Sequence, residues 1–460
     1  MSDLLLTHGY FLYEDPKELQ ILKPYVPLGL LYICSHLRQR GFGVNVFDST
    51  FSRREDLFTY LHTAPPSVLG IYANLMTRTN VVEILRVAKE SGWTTVVGGP
   101  EPGAYVTEYL DHRADFVVLG EGEITLEELL PAITSGNKAE LLRVNGIAFR
   151  DSSGQIHSTP ARAQIHDLDQ QPWPARDAVD MDQYLQTWRQ AHGKGSVSII
   201  TARGCPYRCR WCSHQVFGMT HRRRKPELVV DEVEWLVEQY SPEMIWIADD
   251  VFTINHGWLK TYAAEMKRRG LHIPFECISR ADRMTEEVAD LLAELGCFRL
   301  WIGSESGSQR VLDRMERGVS VGQVQSAVQM CRTRGIQSGM FLMWGYEGEE
   351  LTDIEETIAH VKRSNPDVFF TTLAYPIKGT TYHSEVRERV RNDKPWAETS
   401  DRESTVTERA PRRVYEIADR LLRDEVDLAR QSSTGKVPRE LQSRIDESRR
   451  QLHAAVEVSA

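Results

Sequence analysis

The stretch SVSIITARGCPYRCRWCSH, residues 196–214, places a strand-length apolar run directly before three closely spaced cysteines. The cysteines are Cys205, Cys209 and Cys212, with the spacing Cys-x-x-x-Cys-x-x-Cys. Three basic residues lie beside them: Arg203, Arg208 and Arg210. We expect their positive charge to lower the pKa of the thiols. Clustered cysteines in a basic loop are typical of metal binding, which is favoured here over three unrelated surface cysteines.

Two kinds of metal site fit three cysteines. A structural zinc site takes four ligands, and His214 or His221 would supply the fourth. An iron–sulfur cluster normally takes four thiolates, so with three of them one iron keeps an open position. The other cysteines are isolated along the chain: Cys34, Cys277, Cys297 and Cys331. The residues alone leave both kinds of site open.

The bulk composition indicates a soluble enzyme of two or three domains. The chain has 460 residues, and its formal net charge of −10 argues against a nucleic-acid partner. Seven cysteines, an odd number, indicate a reducing compartment. The start, MSDLLLTHGYFLYED, has no basic segment, and its apolar run is too short for a signal peptide or a membrane span. We therefore expect a cytoplasmic protein with no membrane span.

The second half of the chain alternates strand and helix patterns. Six apolar runs alternate with helical stretches: 196–202, 244–250, 272–280, 298–306, 338–345 and 367–377. Six such units predict a partial parallel β/α barrel over residues 196–395. Residues 396–460 are charge-rich, with an amphipathic helical pattern, and form a C-terminal helical segment that is expected to cover an open edge.

The first half alternates in the same way and predicts a separate domain. Five apolar runs alternate with helical patterns: 4–9, 44–48, 68–73, 94–99 and 115–120. They predict a doubly wound, Rossmann-like parallel sheet over residues 1–140, which would bind a ligand at the carboxyl ends of its strands. Residues 141–195 are predicted to form a hairpin followed by a linker rich in Pro and Asp. The predicted class is α/β.

Polar residues stand where the barrel strands end. They are Asp249 and Asp250, then Ser279, Arg280 and Asp282, then Ser304, Glu305 and Ser306, then Tyr346 and Glu347, and finally Tyr375. Each alone has a simpler explanation as a helix cap. Their convergence with the cysteines on one end of a barrel predicts a ligand site there.

Taken together, these features resemble the radical S-adenosylmethionine (SAM) superfamily. Its motif is Cys-x-x-x-Cys-x-aromatic-Cys after the first barrel strand, and Trp211 holds the aromatic position. The resemblance implies that the cysteines bind a 4Fe–4S cluster, whose open iron binds the amino and carboxylate groups of SAM. One electron would then cleave SAM to a 5′-deoxyadenosyl radical. The implied SAM-binding residues are Asp249, Asp250, Arg280, Ser304 and Glu305. The chain departs from many relatives in having WGYEGEE at 344–350 instead of Gly-x-Pro-Gly-Glu.

The first half resembles the N-terminal half of the cobalamin-dependent radical SAM enzymes. The resemblance lies in three stretches: PLGLLYICSHLRQRGFGVNVFD at 27–48, VVGGPEPGA at 96–104 and FVVLGEGEITLEELL at 116–130. The implied cobalamin-binding residues are Gly98, Gly99, Pro100, Gly120 and Glu121. Many cobalamin domains place a histidine under the cobalt, within Asp-x-His-x-x-Gly. Residues 48–53 read DSTFSR here, so we expect binding without a histidine ligand, His8 being the only substitute at that edge.

That subgroup includes the anaerobic cyclase of chlorophyll biosynthesis and many natural-product methyltransferases. The resemblance therefore implies methylation of an unactivated carbon in a small-molecule substrate, with an external one-electron reductant of the flavodoxin or ferredoxin type. The alternative is cobalamin-dependent oxidation, cyclisation or rearrangement without methyl transfer. A Rossmann-like domain that holds no corrin, and a non-catalytic metal-binding module, are the further alternatives. The sequence does not identify the substrate.

Overall fold

The computed structural model describes residues 3–213, 218–432 and 439–457. Seven strands form the first sheet: β1 Leu4–His8, β2 Val44–Phe47, β3 Val68–Tyr72, β4 Thr94–Gly98, β5 Phe116–Val118, β6 Ile147–Arg150 and β7 Ile156–Ser158. Their order is β2-β1-β3-β4-β5-β6-β7. The first five are parallel, and β6 and β7 are an antiparallel hairpin that extends the sheet beyond β5. The predicted hairpin is therefore present, and it belongs to the first sheet.

Helices cover both faces of this sheet. They are α1 Pro16–Ile21, α2 Leu28–Gln39, α3 Arg54–Thr63, α4 Arg78–Glu90, α5 Val106–Asp111, α6 Gly122–Ser135 and α7 Lys138–Leu141. One buried cluster joins Leu5 and Ile71 to α3, α4 and α5, while another joins Leu4 and Leu6 to α2 and α6. Successive residues of β1 thus bury opposite faces, as parallel strands covered on both sides do. The predicted doubly wound sheet is confirmed.

The second sheet has six strands, all parallel, in the order β15-β14-β13-β12-β11-β8. Its elements run as follows: α8 Met181–His192, β8 Ser196–Ile199, β9 Ala202–Arg203, β10 Arg222–Arg223, α9 Pro226–Tyr240, β11 Met244–Ile247, α10 His256–Arg268, β12 Phe275–Ser279, α11 Glu286–Glu294, β13 Cys297–Glu305, α12 Gln309–Arg314, α13 Val321–Thr333, β14 Gln337–Trp344, α14 Leu351–Ser364 and β15 Val368–Leu373. Strands β8 and β15 stand at its two edges, so the predicted partial barrel is confirmed.

Local sequence signals explain where the barrel helices begin. The side chain of Thr285 caps α11, and Ser320 with Gln323 forms a capping box at the start of α13. Cys277, Cys297 and Cys331 are buried together in the core between the strands and these helices. Cys277 therefore serves core packing.

The last elements are α15 Thr381–Val386, β16 Val390–Arg391, β17 Thr405–Val406, α16 Arg412–Ser432 and α17 Arg439–Glu457. Helix α16 packs on α14 and on the outer side of β15, where Thr371 donates a hydrogen bond to Asp419. The C-terminal helices therefore cover the edge strand of the barrel. Among the described residues, no helix is long and apolar enough to cross a membrane.

Residues 374–411, which we call the strap, run from the barrel back to the first sheet. Arg78, at the start of α4, is 2% exposed and donates hydrogen bonds to the carbonyl oxygen of Thr399 at 3.0 Å and to Asp401 at 2.7 Å. Arg78 also pairs with Glu101, which follows β4. Because these residues lie at the carboxyl ends of β3 and β4, the strap ties the barrel to the predicted ligand edge of the first sheet.

Candidate active site

The cysteines lie in a loop that a short hairpin closes. Strands β9 and β10 pair antiparallel on either side of it. Gly204 has φ +83°, and a side chain there would collide with the carbonyl oxygen of Thr220, so this entry to the loop requires glycine. Cys209 is buried, whereas Cys205 and Cys212 are half-buried. The loop therefore presents its thiols at the carboxyl end of the barrel.

Two buried arginines reach Cys209 from neighbouring strands and loops. Arg280 Nη1 lies 3.7 Å from Cys209 Sγ, and Arg317 Nη1 lies 3.8 Å from it. The Arg280 guanidinium also stacks 3.6 Å from the ring centroid of Tyr207. Hydrogen bonds to sulfur stabilise thiolates and tune iron–sulfur clusters. Arg280 was among the predicted residues, but Arg317 was not, because it follows α12 and carries no motif of its own.

The expectation that nearby arginines lower the thiol pKa values is wrong at Cys205. Burial raises the pKa of Cys205, and the negative charges of Asp250 and Cys209 raise it further. The adjacent arginines have other partners: Arg203 pairs with Glu121 and Glu123, and Arg210 pairs with Glu385. The positive charge beside the thiols comes instead from Arg280 and Arg317.

The donor set fits an iron–sulfur cluster better than a single zinc ion. In the ranges 3–213, 218–432 and 439–457, no three His, Cys, Asp or Glu side chains lie close enough to hold one metal ion. His214, one proposed zinc ligand, falls outside the described residues. A 4Fe–4S cluster binds each thiolate through a different iron, so it suits thiols spaced along a loop. Arg280 and Arg317 then supply donors to the sulfur of Cys209.

Asp249, predicted to bind SAM, lies instead beneath the cysteine loop. Its carboxylate is 2% exposed and accepts hydrogen bonds from the backbone N–H of Thr201 at 2.7 Å and of Ala202 at 3.1 Å. It also accepts from the Thr201 hydroxyl and from Arg223 Nη2, the latter at 2.7 Å. These donors leave Asp249 holding the start of the loop. Asp250 is half-buried beside Cys205.

Ser304 and Glu305 point in different directions. Ser304 is 1% exposed, and its hydroxyl lies 3.1 Å from His360 Nε2, on the side of the helices. Glu305 sits at a bulge between β13 and β14 with φ +63°, and its carboxylate lies 3.8 Å from Arg317 Nε. Burial raises the pKa of Glu305, and the charge of Arg317 opposes that rise. Asp250 and Arg280 therefore lie beside the cysteine loop, and Glu305 contacts Arg317, which reaches Cys209. Asp249 holds the start of the loop, whereas Ser304 faces the helices.

The predicted cobalamin residues meet at the carboxyl ends of the paired strands β4 and β5. Gly99 has φ +119°, and a side chain there would collide with the carbonyl oxygen of Ala73. Gly120 has φ +92° and faces open space, as a site of close ligand approach requires. Gly98 ends β4 directly before Gly99, and Pro100 follows Gly99 in the turn. At this edge, Gly120 offers backbone that a ligand can approach closely.

Glu121, the last predicted cobalamin residue, reaches the other sheet. Its carboxylate accepts hydrogen bonds from Arg203 Nη1 at 3.0 Å and from Arg222 Nη1 at 2.9 Å. Arg203 and Arg222 belong to β9 and β10, the hairpin that closes the cysteine loop. Glu121 thus joins the ligand edge of the first sheet to the base of the cysteine loop.

Both ring nitrogens of His8 are engaged within the first sheet. His8 is 4% exposed, with Nε2 3.0 Å from Asp48 and Nδ1 2.9 Å from Ser49 Oγ. The backbone N–H of Tyr10 also donates to His8 Nδ1 at 3.2 Å. Asp48 in turn accepts from the hydroxyl of Tyr184 at 2.7 Å. A metal bond to His8 would have to break this network.

Two family models match the chain. The radical SAM superfamily model matches residues 199–361, and the B12 binding domain model matches residues 20–130. An uncharacterised methyltransferase of Pyrococcus horikoshii is 31% identical over 367 residues, which cover 77% of each chain. The anaerobic magnesium-protoporphyrin IX monomethyl ester cyclase of Rubrivivax gelatinosus is 26% identical over 381 residues, 81% of this chain and 68% of that one. The hopanoid C-3 methylase of Methylococcus capsulatus is 26% identical, covering 82% of this chain and 73% of its own.

Solved structures share the fold. The radical SAM methyltransferase TsrM of Kitasatospora setae, with cobalamin and a 4Fe–4S cluster bound, superposes with a TM-score of 0.70 at 22% identity. That match covers 86% of this chain and 78% of TsrM. The cobalamin-dependent radical enzyme OxsB superposes with a TM-score of 0.73 at 17% identity, covering 99% of this chain and 72% of OxsB. At these identities the likeness extends to the architecture of the two sheets.

Proposed function

This chain belongs to the cobalamin-dependent radical SAM enzymes, and from that premise we propose that it methylates an unactivated carbon of a small-molecule substrate. Its cofactors are a 4Fe–4S cluster, SAM and cobalamin. The proposal of methyl transfer draws support from relatives named as methyltransferases, among them the hopanoid methylase.

The observation that carries the proposal is the joint between the two ligand edges. Glu121 follows β5, and Arg203 and Arg222 close the cysteine loop, so their ion pairs place the two edges together. Glu123 pairs with Arg203 as well, at 2.7 Å. These side chains are at most 18% exposed, so solvent screens the pairs weakly. Methyl transfer needs the corrin and the radical source to share one substrate, which this joint supports.

The chain's own residues would divide the work at the site. Cys205, Cys209 and Cys212 hold the cluster, and Asp249 fixes the start of their loop. Asp250 and Glu305 are the carboxylates that we assign to SAM, and Arg280 suits its carboxylate group. When bound, the cluster and SAM supply a 5′-deoxyadenosyl radical and the cobalamin supplies a methyl group.

On the corrin side, the contacts of His8 support binding without a histidine under the cobalt. Asp48 and Ser49 already occupy its ring nitrogens. We assign the corrin to the edge formed by Gly98, Gly99 and Gly120, where Gly120 faces open space. Cobalamin held there without a protein histidine would supply the methyl group, while His8 stays in its network with Asp48 and Ser49.

A second candidate function is cobalamin-dependent oxidation, cyclisation or rearrangement without methyl transfer. The match of the Rubrivivax gelatinosus cyclase to 81% of this chain supports this second candidate. Both candidates take electrons one at a time, so a flavodoxin- or ferredoxin-type reductant in a reducing, cytoplasmic compartment is part of the proposal. The net charge of −10 supports a small molecule as substrate in place of a nucleic acid.

The test is anaerobic reconstitution with iron, sulfide, cobalamin and SAM, followed by mass spectrometry with candidate metabolites from neighbouring genes. We expect S-adenosylhomocysteine and 5′-deoxyadenosine in comparable amounts, together with a product heavier by one methylene. Deoxyadenosine with an unmethylated product would favour the second candidate. The control changes Cys205, Cys209 and Cys212 to Ala and should lose both the cluster and SAM cleavage; retention of about four irons in that variant would overturn the cluster assignment.

A further inference from the structure

The inner face of the partial barrel carries side chains that the proposed chemistry does not yet use. Leu300, Ile302 and Met340 pack into the core between the strands and the helices. Because successive strand residues point to opposite faces, Trp301 and Phe341 lie on the inner face of β13 and β14. Phe341 pairs in register with Phe370 of the edge strand β15, which places Phe370 on that face too.

These three aromatic rings form a stack, with Trp301 at its base. The ring of Trp301 lies 5.1 Å from that of Phe341 and 5.4 Å from that of Phe370, with interplanar angles of 12° and 14°. The rings of Phe341 and Phe370, 6.4 Å apart at an interplanar angle of 19°, therefore lie against one face of the buried Trp301 and leave their own outer faces for a neighbour. Phe370 remains 56% exposed. We call Trp301, Phe341 and Phe370 the aromatic platform.

The sequence holds the platform in place from two sides. A side chain at Gly339 would collide with the ring of Trp301, so glycine makes room for the indole. Glu276 is 2% exposed and accepts a hydrogen bond from Trp301 Nε1 at 3.0 Å. Arg299 lies 3.4 Å from the same carboxylate. A buried acid that orients an indole fixes the plane of its ring, so the platform is preorganised.

The platform adjoins the site of the cluster. Gly303 stands two residues after Trp301 on the same face of β13, about 7 Å further along the strand. A side chain at Gly303 would come within 2.5 Å of the Arg317 guanidinium and 2.8 Å of the Glu305 carboxylate. Arg317 is in contact with Cys209. A molecule lying on the platform therefore borders the residues that surround the cysteine loop.

We infer that the substrate carries a planar, conjugated ring system that stacks on the aromatic platform. This inference rests on the proposed function, since it names the class of substrate for that site. A flat, rigid and largely apolar surface is most complementary to a flat partner, and stacking adds affinity beyond the burial of apolar area. A saturated ring of the same size buries similar area but loses the face-to-face contact.

The experiment compares two neutral alcohols with the same carbon skeleton, 2-naphthol and decahydro-2-naphthol. Binding is measured by anaerobic equilibrium dialysis to the reconstituted enzyme, with saturating SAM and no reductant, so that the adenine site is filled and no turnover occurs. We expect 2-naphthol to bind about two- to tenfold more tightly than the saturated alcohol. Phe370→Leu should abolish that preference, and Phe370→Tyr should keep it.

The matched control is Tyr13→Leu, which removes another exposed aromatic ring, on the first half of the chain, and should change neither affinity. Iron and cobalamin contents of each variant report correct folding, and Phe341→Leu serves where Phe370→Leu does not fold. Equal affinities of the two alcohols for the unchanged enzyme, or an undiminished preference in the platform variants, would overturn the inference. The assay involves no methyl transfer, so failure of the proposed function would show separately in the product analysis.

Discussion

Asp249 and Asp250 are neighbours in sequence, yet the structure gives them different tasks. The sequence predicted both at a strand end and could not distinguish them. Successive residues of a strand point to opposite faces, but the sequence alone does not show which of the two faces the site. Asp249 is enclosed by the chain that begins the cysteine loop. Ser304 was predicted at the site for the same reason and instead contacts His360. Arg317 was missed because it lies at no strand end.

The first prediction separates these two carboxylates. Asp249→Asn should destabilise the cysteine loop, because it breaks a buried pair with Arg223, a change that costs about 3–5 kcal/mol. We expect the variant to lose most of its iron after reconstitution and to melt at a lower temperature. Asp250→Asn should keep its iron and bind SAM about tenfold more weakly, in line with one charged hydrogen bond. The measurements are the iron content of each variant and its affinity for SAM by equilibrium dialysis. Equal iron contents in the two variants would contradict the different roles assigned to Asp249 and Asp250.

The second prediction concerns acid stability. Burial lowers the pKa of His360 from 6.5 to about 4, so the folded protein holds it neutral between Ser304 and Gln325. Between these two pH values the unfolded chain binds the proton and the folded chain does not. Stability therefore falls as pH drops from 6.5 towards 4, by roughly 3 kcal/mol. His360→Gln should flatten this part of the curve of unfolding free energy against pH, measured by urea titration; an unchanged slope would contradict it.

At the scale of elements, the sequence anticipated all the parallel strands of the two sheets in the described residues. Their apolar runs are continuous, as burial on both faces demands, and the structure places each strand within a few residues of its run. Strands β9 and β10 were missed, since two residues each carry no periodic signal. The attachment of the strap to α4 was missed as well. Pairing between Arg78 and Asp401, 323 residues apart, is a property of tertiary structure.

The third prediction tests the strap. Arg78→Met should lower the unfolding free energy by about 3–5 kcal/mol, because it leaves Glu101 and Asp401 buried without their cation. The matched control is Arg86→Met on the same helix, where the pair with Glu90 is half-exposed and contributes less than about 0.5 kcal/mol. Thermal and urea unfolding measure both. Similar losses in the two variants would show that the strap does not depend on Arg78.

For the whole molecule, the functional unit that we propose is the pair of candidate ligand edges. The cysteine spacing and the strand ends predicted where each edge lies. Their relative placement depends on Glu121, which the resemblance assigned to cobalamin and which the structure pairs with Arg203 and Arg222. Glu121 lies at the start of a helix, and its partners depend on how the two domains dock. The pattern of apolar and polar residues does not reveal that docking.

The fourth prediction follows from this joint. Glu121→Gln should loosen the placement of the two edges while leaving each cofactor bound. We expect methylated product to fall about tenfold more than 5′-deoxyadenosine, since methyl transfer needs both edges and SAM cleavage needs only one. The ratio of the two products, measured by mass spectrometry, is the readout. Glu128→Gln, which removes a more exposed pair with Arg162 on the same helix, is the control, and an equal fall of both products in Glu121→Gln would contradict the prediction.

The strap also sets an order of events at the ribosome. Arg78 and Glu101 leave the exit tunnel about 300 residues before Asp401, which is roughly 15–60 s at ordinary rates of translation. During that interval the parts of Tyr105 and Tyr109 that Trp396 later covers are exposed to water. The packing around the start of α4 and α5 is thus completed by residues 396–401, long after the strands of the first sheet have been made. Nascent chains truncated before residue 396 should therefore expose an aromatic patch that chaperones and proteases recognise.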